Sequence, residues 1–153
     1  MKLKTHQVGQ AGEHYVAAEL HRRGAYAVTF SGNMPDIDIF ASDVARDRTV
    51  SIQVKTKTAG TWQTSTKRGR ERKENVDETD FWVFVDIGKN PDRRPDYFVV
   101  PRWWIENSIF TRHKAYLDRA DGQRVRSPDS THHAIPASVV REWQERWDVL
   151  GIF

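Results

Sequence analysis

The sequence predicts an α/β protein in which a mixed β-sheet is flanked by helices. Residues 9–20 have a helical apolar period, and residues 25–30 and 36–55 have strand patterns. Residues 81–87 and 96–100 are two apolar runs separated by a turn. The resulting order is a helix, three strands, a basic segment, two more strands and further helices, which is typical of an α/β sandwich around a mixed sheet.

The first predicted helix has a small-residue face that contains one carboxylate. At about 100° per residue, this face is formed by Gly9, Gly12, Val16, Ala17 and Leu20, with Glu13 among them. Because a carboxylate on a packing face is unfavourable without a partner, Glu13 is expected to have one inside the fold. Arg22-Arg23-Gly24 predicts the end of this helix.

Residues 36–55 are the most informative segment for function. Asp38 directly precedes an apolar strand-like run, and Gln53 and Lys55 lie two positions apart on the next run. The strand period of two puts Gln53 and Lys55 on one face. An acid, an amide oxygen and an ammonium therefore converge, as in a metal-dependent phosphodiesterase site. There, an ion held by oxygen ligands neutralises phosphate charge and activates water.

This arrangement of Asp38, Gln53 and Lys55 resembles the PD-(D/E)xK nuclease superfamily of restriction-endonuclease-like and Holliday-junction-resolvase-like proteins. Its usual pattern is an Asp ending one strand and Glu-x-Lys on the next. Gln53 departs from this pattern, although homing-endonuclease and resolvase-like branches have Gln-x-Lys. An amide oxygen coordinates Mg²⁺ without adding charge, so weaker metal affinity is expected. The resemblance covers residues 9–57.

The resemblance implies a restriction-endonuclease-like αβββαβ core, one nuclease-like domain over residues 1–153, and Mg²⁺- or Mn²⁺-dependent cleavage of DNA. Asp38 would be the principal metal ligand and Gln53 a neutral one. Lys55 would orient water or stabilise the phosphate. Glu13 matches a glutamate that the first helix often points into the metal site, and the main-chain carbonyl of Val54 is a further candidate oxygen ligand. A homodimer is also implied, because the family cuts two strands that way.

Asp36 is an alternative to Asp38 as the metal ligand. Pro35-Asp36 spells the "PD" of the superfamily, whereas Asp38 has the better strand context. Strand alternation would put both carboxylates on one face, so Asp36 is expected as a supporting or additional metal group.

Residues 56–80 predict a polar, mobile loop or hairpin beside the site. Its candidate nucleic-acid-binding residues are Lys57, Trp62, Lys67, Arg68, Arg70, Arg72 and Lys73. Such cations neutralise phosphates, and Trp62 would stack on a base or pack across the groove. Glu71 and Glu74 partly offset the positive charge, so an ordinary solvated face is the alternative interpretation.

After residue 101 the sequence predicts two helices separated by a polar loop. The first follows Pro101, and the second is an amphipathic helix over residues 136–150. Residues 118–133 are expected to form the loop. His132 and His133 are interpreted as exposed loop residues rather than metal ligands, because adjacent residues do not share a face of a helix or strand.

Composition restricts the functional classes further. The chain has 153 residues, a net charge of +3 and a pI near 9.3, so the total charge alone does not indicate a nucleic-acid partner. The absence of cysteine excludes disulfides and thiolate metal sites, and suits an intracellular protein. Without a long apolar run or a signal-like N-terminus, a soluble cytoplasmic protein with no membrane partner is expected.

Two other functional classes remain open at this point. In a catalytically inactive nuclease-like DNA-binding module, Gln53 would mark the loss of the metal. In a protein-interaction domain, the tryptophan-rich helices would bind a partner. Metal-dependent cleavage would distinguish an active nuclease from the inactive DNA-binding module. Salt-sensitive DNA retention would distinguish both of these from a protein-interaction domain. The sequence does not indicate which DNA structure or sequence is cleaved.

Overall fold

The helices and strands follow the predicted order through the first half of the chain. The computed structural model describes residues 2–30, 32, 34–74, 78–119 and 130–153. The helices are α1 (Thr5–Arg22), α2 (Arg102–Arg119) and α3 (Ala137–Val140). The strands are β1 (Tyr26–Thr29), β2 (Ile39–Ser42), β3 (Thr49–Lys57), β4 (Trp62–Ser65), β5 (Asp80–Asp86), β6 (Asp96–Pro101) and β7 (His132–Ile135). Single 3₁₀ turns cover Thr66–Arg68, Arg141–Trp143 and Trp147–Leu150.

The main sheet has five strands in the order β1-β2-β3-β5-β6. Strands β1, β2 and β3 form an antiparallel meander, β3 pairs with β5 in parallel, and β6 is antiparallel to β5. This confirms the predicted mixed sheet flanked by helices. Strands β4 and β7 form a separate two-stranded sheet. In the described residues, the connection from β3 to β5 contains β4 and a 3₁₀ turn.

Two apolar layers cover the opposite faces of the sheet. Phe81, Val83 and Val85 of β5 point to one face, and Trp82 and Phe84 point to the other. The first face, here called the α1 face, is covered by α1 and residues 147–152. The second, the α2 face, is covered by α2, α3 and the β4–β7 pair. Strand β5 is buried on both faces, which explains its continuous apolar sequence.

The predicted small-residue face of α1 is confirmed, because Gly12, Val16 and Leu20 are buried against the sheet. The helix ends before Gly24, whose φ of 95° favours glycine. A Cβ atom on Gly12 would lie 1.8 Å from Oγ1 of Thr56. Gly12 therefore permits the close approach of α1 to β3 that places the next residue near β2.

We expect Gly12→Ala and Gly9→Ala to change stability in opposite directions. Nothing lies within 4 Å of a Cβ atom at Gly9, so alanine there should stabilise the helix by about 0.5–1 kcal/mol. Alanine at Gly12 should destabilise the protein by about 1–3 kcal/mol, since α1 must move away from Thr56. Urea unfolding of both variants measures the difference; equal effects would contradict the tight contact.

The predicted single helix over residues 136–150 is wrong. Helix α3 ends at Val140, two 3₁₀ turns follow, and Glu145 has a φ of 54°. Gln144 forms a β-bridge with Phe98, and the Glu145 amide donates to the Tyr97 carbonyl at 2.9 Å. The backbone here therefore pairs with β6, while the apolar side chains still reach the core.

The predicted loop over residues 118–133 is also corrected where the structure describes it. Helix α2 continues to Arg119, residues 120–129 lie outside the described residues, and β7 begins at His132. His132 is exposed, whereas His133 is half-buried opposite Thr64 of β4. No helix among the described residues is long and apolar enough to cross a membrane.

Candidate active site

The site is built where the start of β2 meets the middle of β3. Asp38 directly precedes β2, and its Oδ2 atom accepts a hydrogen bond from the Val54 amide at 2.7 Å. The Asp38 amide donates to the Ile52 carbonyl at 2.9 Å. These two bonds fix Asp38 against β3, next to Gln53.

Gln53 and Lys55 lie on the same face of β3, as the strand period predicts. Val50, Ile52 and Val54 point to the α1 face, so the alternate residues point to the α2 face. The Oε1 atom of Gln53 is buried and has no hydrogen-bond partner among the described residues. Leaving such an atom unpaired is unfavourable by about 1–3 kcal/mol, so a water molecule or a cation is expected to contact it.

Lys55 places a half-buried ammonium beside two carboxylates. Its Nζ atom lies 5.7 Å from the centre of the Trp82 ring. Burial and the positive charge of Arg68 lower the pKa of Lys55, and this effect is opposed by Asp38 and Asp36. The ammonium is therefore within electrostatic range of both aspartates.

A cavity of 460 Å³ opens between α1 and the segment before β2. It is lined by Gln10, Glu13, Phe30, Gly32, Met34, Pro35, Ile37 and Asp38. Burial and the negative charge of Asp38 raise the pKa of the Glu13 carboxyl, with an opposing effect from His14. Two carboxylates thus face one cavity, and a bound cation would relieve their repulsion.

The donor set fits a hard divalent cation that retains several waters. In the described part of the chain, no group of three or more His, Asp or Glu side chains is placed to hold a metal ion. Glu13 and Asp38 supply two carboxylates to the cavity, whereas Gln53, whose amide oxygen is unpartnered, points to the α2 face and is not among the residues that line the cavity. Mg²⁺ is bound by one or two carboxylates and water in many sites, whereas a structural Zn²⁺ site needs more nitrogen or sulfur ligands.

Asp36 occupies a different environment from Asp38. It has a φ of 64° and lies before β2 begins, so the strand alternation expected for the two aspartates does not apply. Asp36 forms an ion pair with Arg68. The hydrogen bond from Arg68 lowers the pKa of Asp36, and burial opposes this effect. The positive charges of Arg68, Arg102 and Lys55 lower the pKa further.

The basic segment, defined here as residues 66–73, is attached to α2 in the described structure. The Arg70 amide donates to the Glu106 carbonyl at 3.0 Å, and the Arg72 amide donates to Oδ1 of Asn107 at 3.0 Å. The Arg72 guanidinium lies 4.1 Å from the centre of the Trp103 ring. The side chains exposed to solvent along this segment include those of Lys67, Arg70, Arg72 and Lys73.

Trp62 and Lys57 are predicted to contact DNA, and the structure corrects both predictions because each side chain contacts the protein interior. Trp62 is 2% exposed, and its Nε1 atom donates to the Val85 carbonyl at 3.0 Å. Lys57 lies 2.8 Å from Oδ2 of Asp86, with only 9% of its side chain exposed. Trp62 is therefore a core residue, and Lys57 is held in a nearly buried ion pair.

Sequence reasoning missed the other walls of the cavity. Gln10 precedes Glu13 by three residues, and this helical spacing is the signal that would have included it. Phe30 stacks edge-on against Phe40 with ring centres 5.1 Å apart, which fixes one wall beside β2.

Comparison with solved structures finds the same fold in a bacterial homing endonuclease, I-Ssp6803I. The TM-score is 0.52 at 13% sequence identity, over 98% of this chain and 94% of that one. No family model matches the chain, and no curated protein matches its sequence. The likeness covers nearly the whole of both chains, and at this identity it shows a shared fold.

Proposed function

We propose that this protein is a metal-dependent DNA endonuclease that hydrolyses phosphodiester bonds through Asp38, Gln53 and Lys55. The observation that supports this most strongly is the buried, unpartnered Oε1 atom of Gln53, beside the fixed Asp38 carboxylate. Lys55 lies on the same face, and the fold is similar to that of a homing endonuclease. A buried amide oxygen without a protein partner calls for a water molecule or an ion as its partner.

Glu13, Asp38, Gln53 and the main-chain carbonyl of Val54 would hold Mg²⁺ or Mn²⁺. When bound, the ion would neutralise charge on the phosphate and lower the pKa of a water molecule. The set contains only oxygen atoms, which these ions prefer, and one uncharged ligand reduces its affinity.

The protein's own groups would orient the reaction around that position. The Val54 amide holds the Asp38 carboxylate in one orientation, and the Trp82 ring supports the Lys55 ammonium. Lys55 would donate hydrogen bonds to the attacking water or a phosphate oxygen, where negative charge increases in the transition state. Water would attack in line, without a covalent enzyme intermediate.

DNA is the proposed partner, and the exposed cations of the basic segment would bind its phosphates. Lys67, Arg70, Arg72 and Lys73 are exposed along α2. Residues 1–153 would act as one nuclease domain in the cytoplasm, as a homodimer that cuts two strands. Affinity for DNA should fall steeply with salt, since each phosphate contact releases counterions.

An inactive DNA-binding module is the second candidate. Within the described residues, no three histidine or acidic side chains are grouped to hold a metal ion, which favours this candidate. The test incubates branched, mismatched, fully paired and single-stranded DNAs with Mg²⁺, Mn²⁺ or chelator. An endonuclease should nick at least one substrate only with metal. DNA binding without cleavage under every condition would favour the inactive module.

Gln53→Glu should tighten Mg²⁺ binding and retain cleavage, because the carboxylate keeps the ligand position and adds a charge. Gln53→Ala should weaken both metal binding and cleavage. Isothermal titration with Mg²⁺ and Mn²⁺ measures the first effect, and plasmid nicking measures the second. If Gln53→Ala bound metal as the wild type does, Gln53 would not be a ligand.

A further inference from the structure

One ion pair joins the basic segment to the candidate site. Asp36 comes from the segment before β2, and Arg68 comes from the 3₁₀ turn after β4. The side chains of Asp36 and Arg68 are 35% and 34% exposed, so solvent and ligands reach both. The positive charge of Arg68 also acts on Lys55, which places the pair next to the ammonium of the site.

The backbone on both sides of Arg68 is fixed, so only its side chain is free to change partners. The Thr66 amide donates to the Thr131 carbonyl at 2.8 Å, and the Arg70 amide donates to the Glu106 carbonyl at 3.0 Å. A Cβ atom on Gly69 would lie 3.0 Å from the Phe110 amide nitrogen, which shows how closely this turn lies on α2. The guanidinium is therefore held at one edge of the site.

The charges around this pair suit a phosphate. The cations Arg68 and Lys55 lie near each other, and Arg102 also acts on Asp36. A guanidinium binds a carboxylate and a phosphate with the same two-pronged geometry. Asp36 has a left-handed backbone, which aspartate and asparagine tolerate better than most residues.

We infer that Arg68 binds a backbone phosphate of DNA at the edge of the site, and that Asp36 occupies its guanidinium until DNA displaces the carboxylate. This inference rests on the proposed function, because it requires DNA as the partner. On binding, the Asp36–Arg68 ion pair opens and an Arg68–phosphate pair forms. Asp36 therefore competes with DNA. The alternative is an ion pair that stays closed in the complex and only holds the 3₁₀ turn.

The slope of DNA affinity against salt distinguishes these two states. Each phosphate contact contributes about 0.9 to the slope of log K against log salt on duplex DNA. If Arg68 contacts phosphate in the wild type, Arg68→Ala lowers the slope by about 0.9. Asp36→Asn then leaves the slope unchanged and tightens binding up to about fivefold, because an exposed ion pair no longer has to open.

The experiment measures fluorescence anisotropy of labelled duplex DNA in chelator over a range of salt concentrations. It compares the wild type with Arg68→Ala, Asp36→Asn and the double variant, whose slope should equal that of Arg68→Ala. Arg46→Asn is the control; it removes one exposed charge from the turn between β2 and β3, where asparagine tolerates the φ of 64°. The slope of this control should match that of the wild type.

Two results would overturn the inference while leaving DNA binding intact. In one, Arg68→Ala keeps the wild-type slope and Asp36→Asn raises it by about 0.9, which means that the pair stays closed in the wild-type complex. In the other, neither substitution changes the slope. If the wild type retained no DNA at low salt, both the inference and the proposed function would be rejected.

Discussion

Asp38→Asn should lower DNA cleavage by at least about 100-fold and remove most Mg²⁺ binding. Asparagine keeps an oxygen that accepts the 2.7 Å hydrogen bond from the Val54 amide, so the join between β2 and β3 is preserved. The substitution removes the negative charge, which is the property that a divalent cation requires. Asp38→Asn is therefore a more specific test of the charge than Asp38→Ala, which also leaves the Val54 amide without its hydrogen-bond partner.

Asp43→Asn is the matched control for this substitution. Oδ1 of Asp43 accepts a hydrogen bond from the Arg48 amide at 2.9 Å, at the opposite end of β2. The Asp43→Asn variant should retain cleavage and metal binding. Plasmid nicking and Mn²⁺ titration measure both variants, and thermal unfolding checks the fold. If Asp38→Asn were active and Asp36→Asn inactive for cleavage, the literal Pro-Asp assignment would be right.

Lys55→Met should also lower cleavage by about 100-fold or more while retaining metal binding. Methionine keeps much of the side chain's length against Trp82 but removes the ammonium that would stabilise the transition state. Metal affinity should not fall, because an ammonium is not a ligand and its repulsion of the cation is lost. The separation of cleavage from metal binding is the diagnostic result.

Lys57→Met provides a control two residues along the same strand. Lys57 is paired with Asp86 at 2.8 Å, so its loss should lower the melting temperature and leave the cleavage rate of folded protein near the wild-type value. Rapid-quench cleavage assays and metal titration apply to both variants. If Lys55→Met lost metal binding as well, the effect would be structural, and the ammonium would have no separate role.

The parts of the fold that depend on local periodicity were predictable. The face of α1 around Gly12 and Val16 follows the helical repeat, and the alternation of Gln53 with Ile52 and Val54 follows the strand repeat. Strands β5 and β6 are continuous apolar runs bounded by a turn. In each case, the signal lies within a few consecutive residues.

Pairings between distant segments were not predictable in the same way. Strands β4 and β7 have four residues each, and the register pairs Trp62 with Ile135. Neither segment is apolar enough to indicate a strand alone, so the sequence places Trp62 in a surface loop. The sequence also predicts a DNA contact for Lys57, because no local signal reveals the parallel pairing of β3 with β5 that brings Asp86 beside it.

In the candidate site, too, contacts between neighbouring segments were predictable and contacts between distant segments were not. Asp38, Gln53 and Lys55 come from one hairpin, so their order and spacing were sufficient to place them together. Asp36 and Arg68 are 32 positions apart in the sequence. The 3₁₀ turn that contains Arg68 is positioned by hydrogen bonds to α2 and to the residue before β7. Sequence spacing contains no signal for such a contact.

The attachment of the basic segment to α2 and the β7 region separates it from the elements that hold the candidate metal ligands. Main-chain hydrogen bonds join Thr66 to Thr131 and Arg70 to Glu106, whereas the candidate metal ligands belong to α1, β3 and the residue before β2. Under the proposed function, the contacts with DNA phosphates and the metal-dependent hydrolysis would therefore reside in different parts of the chain. Substitutions of the exposed cations in residues 66–73 would then change DNA affinity without changing the candidate metal ligands.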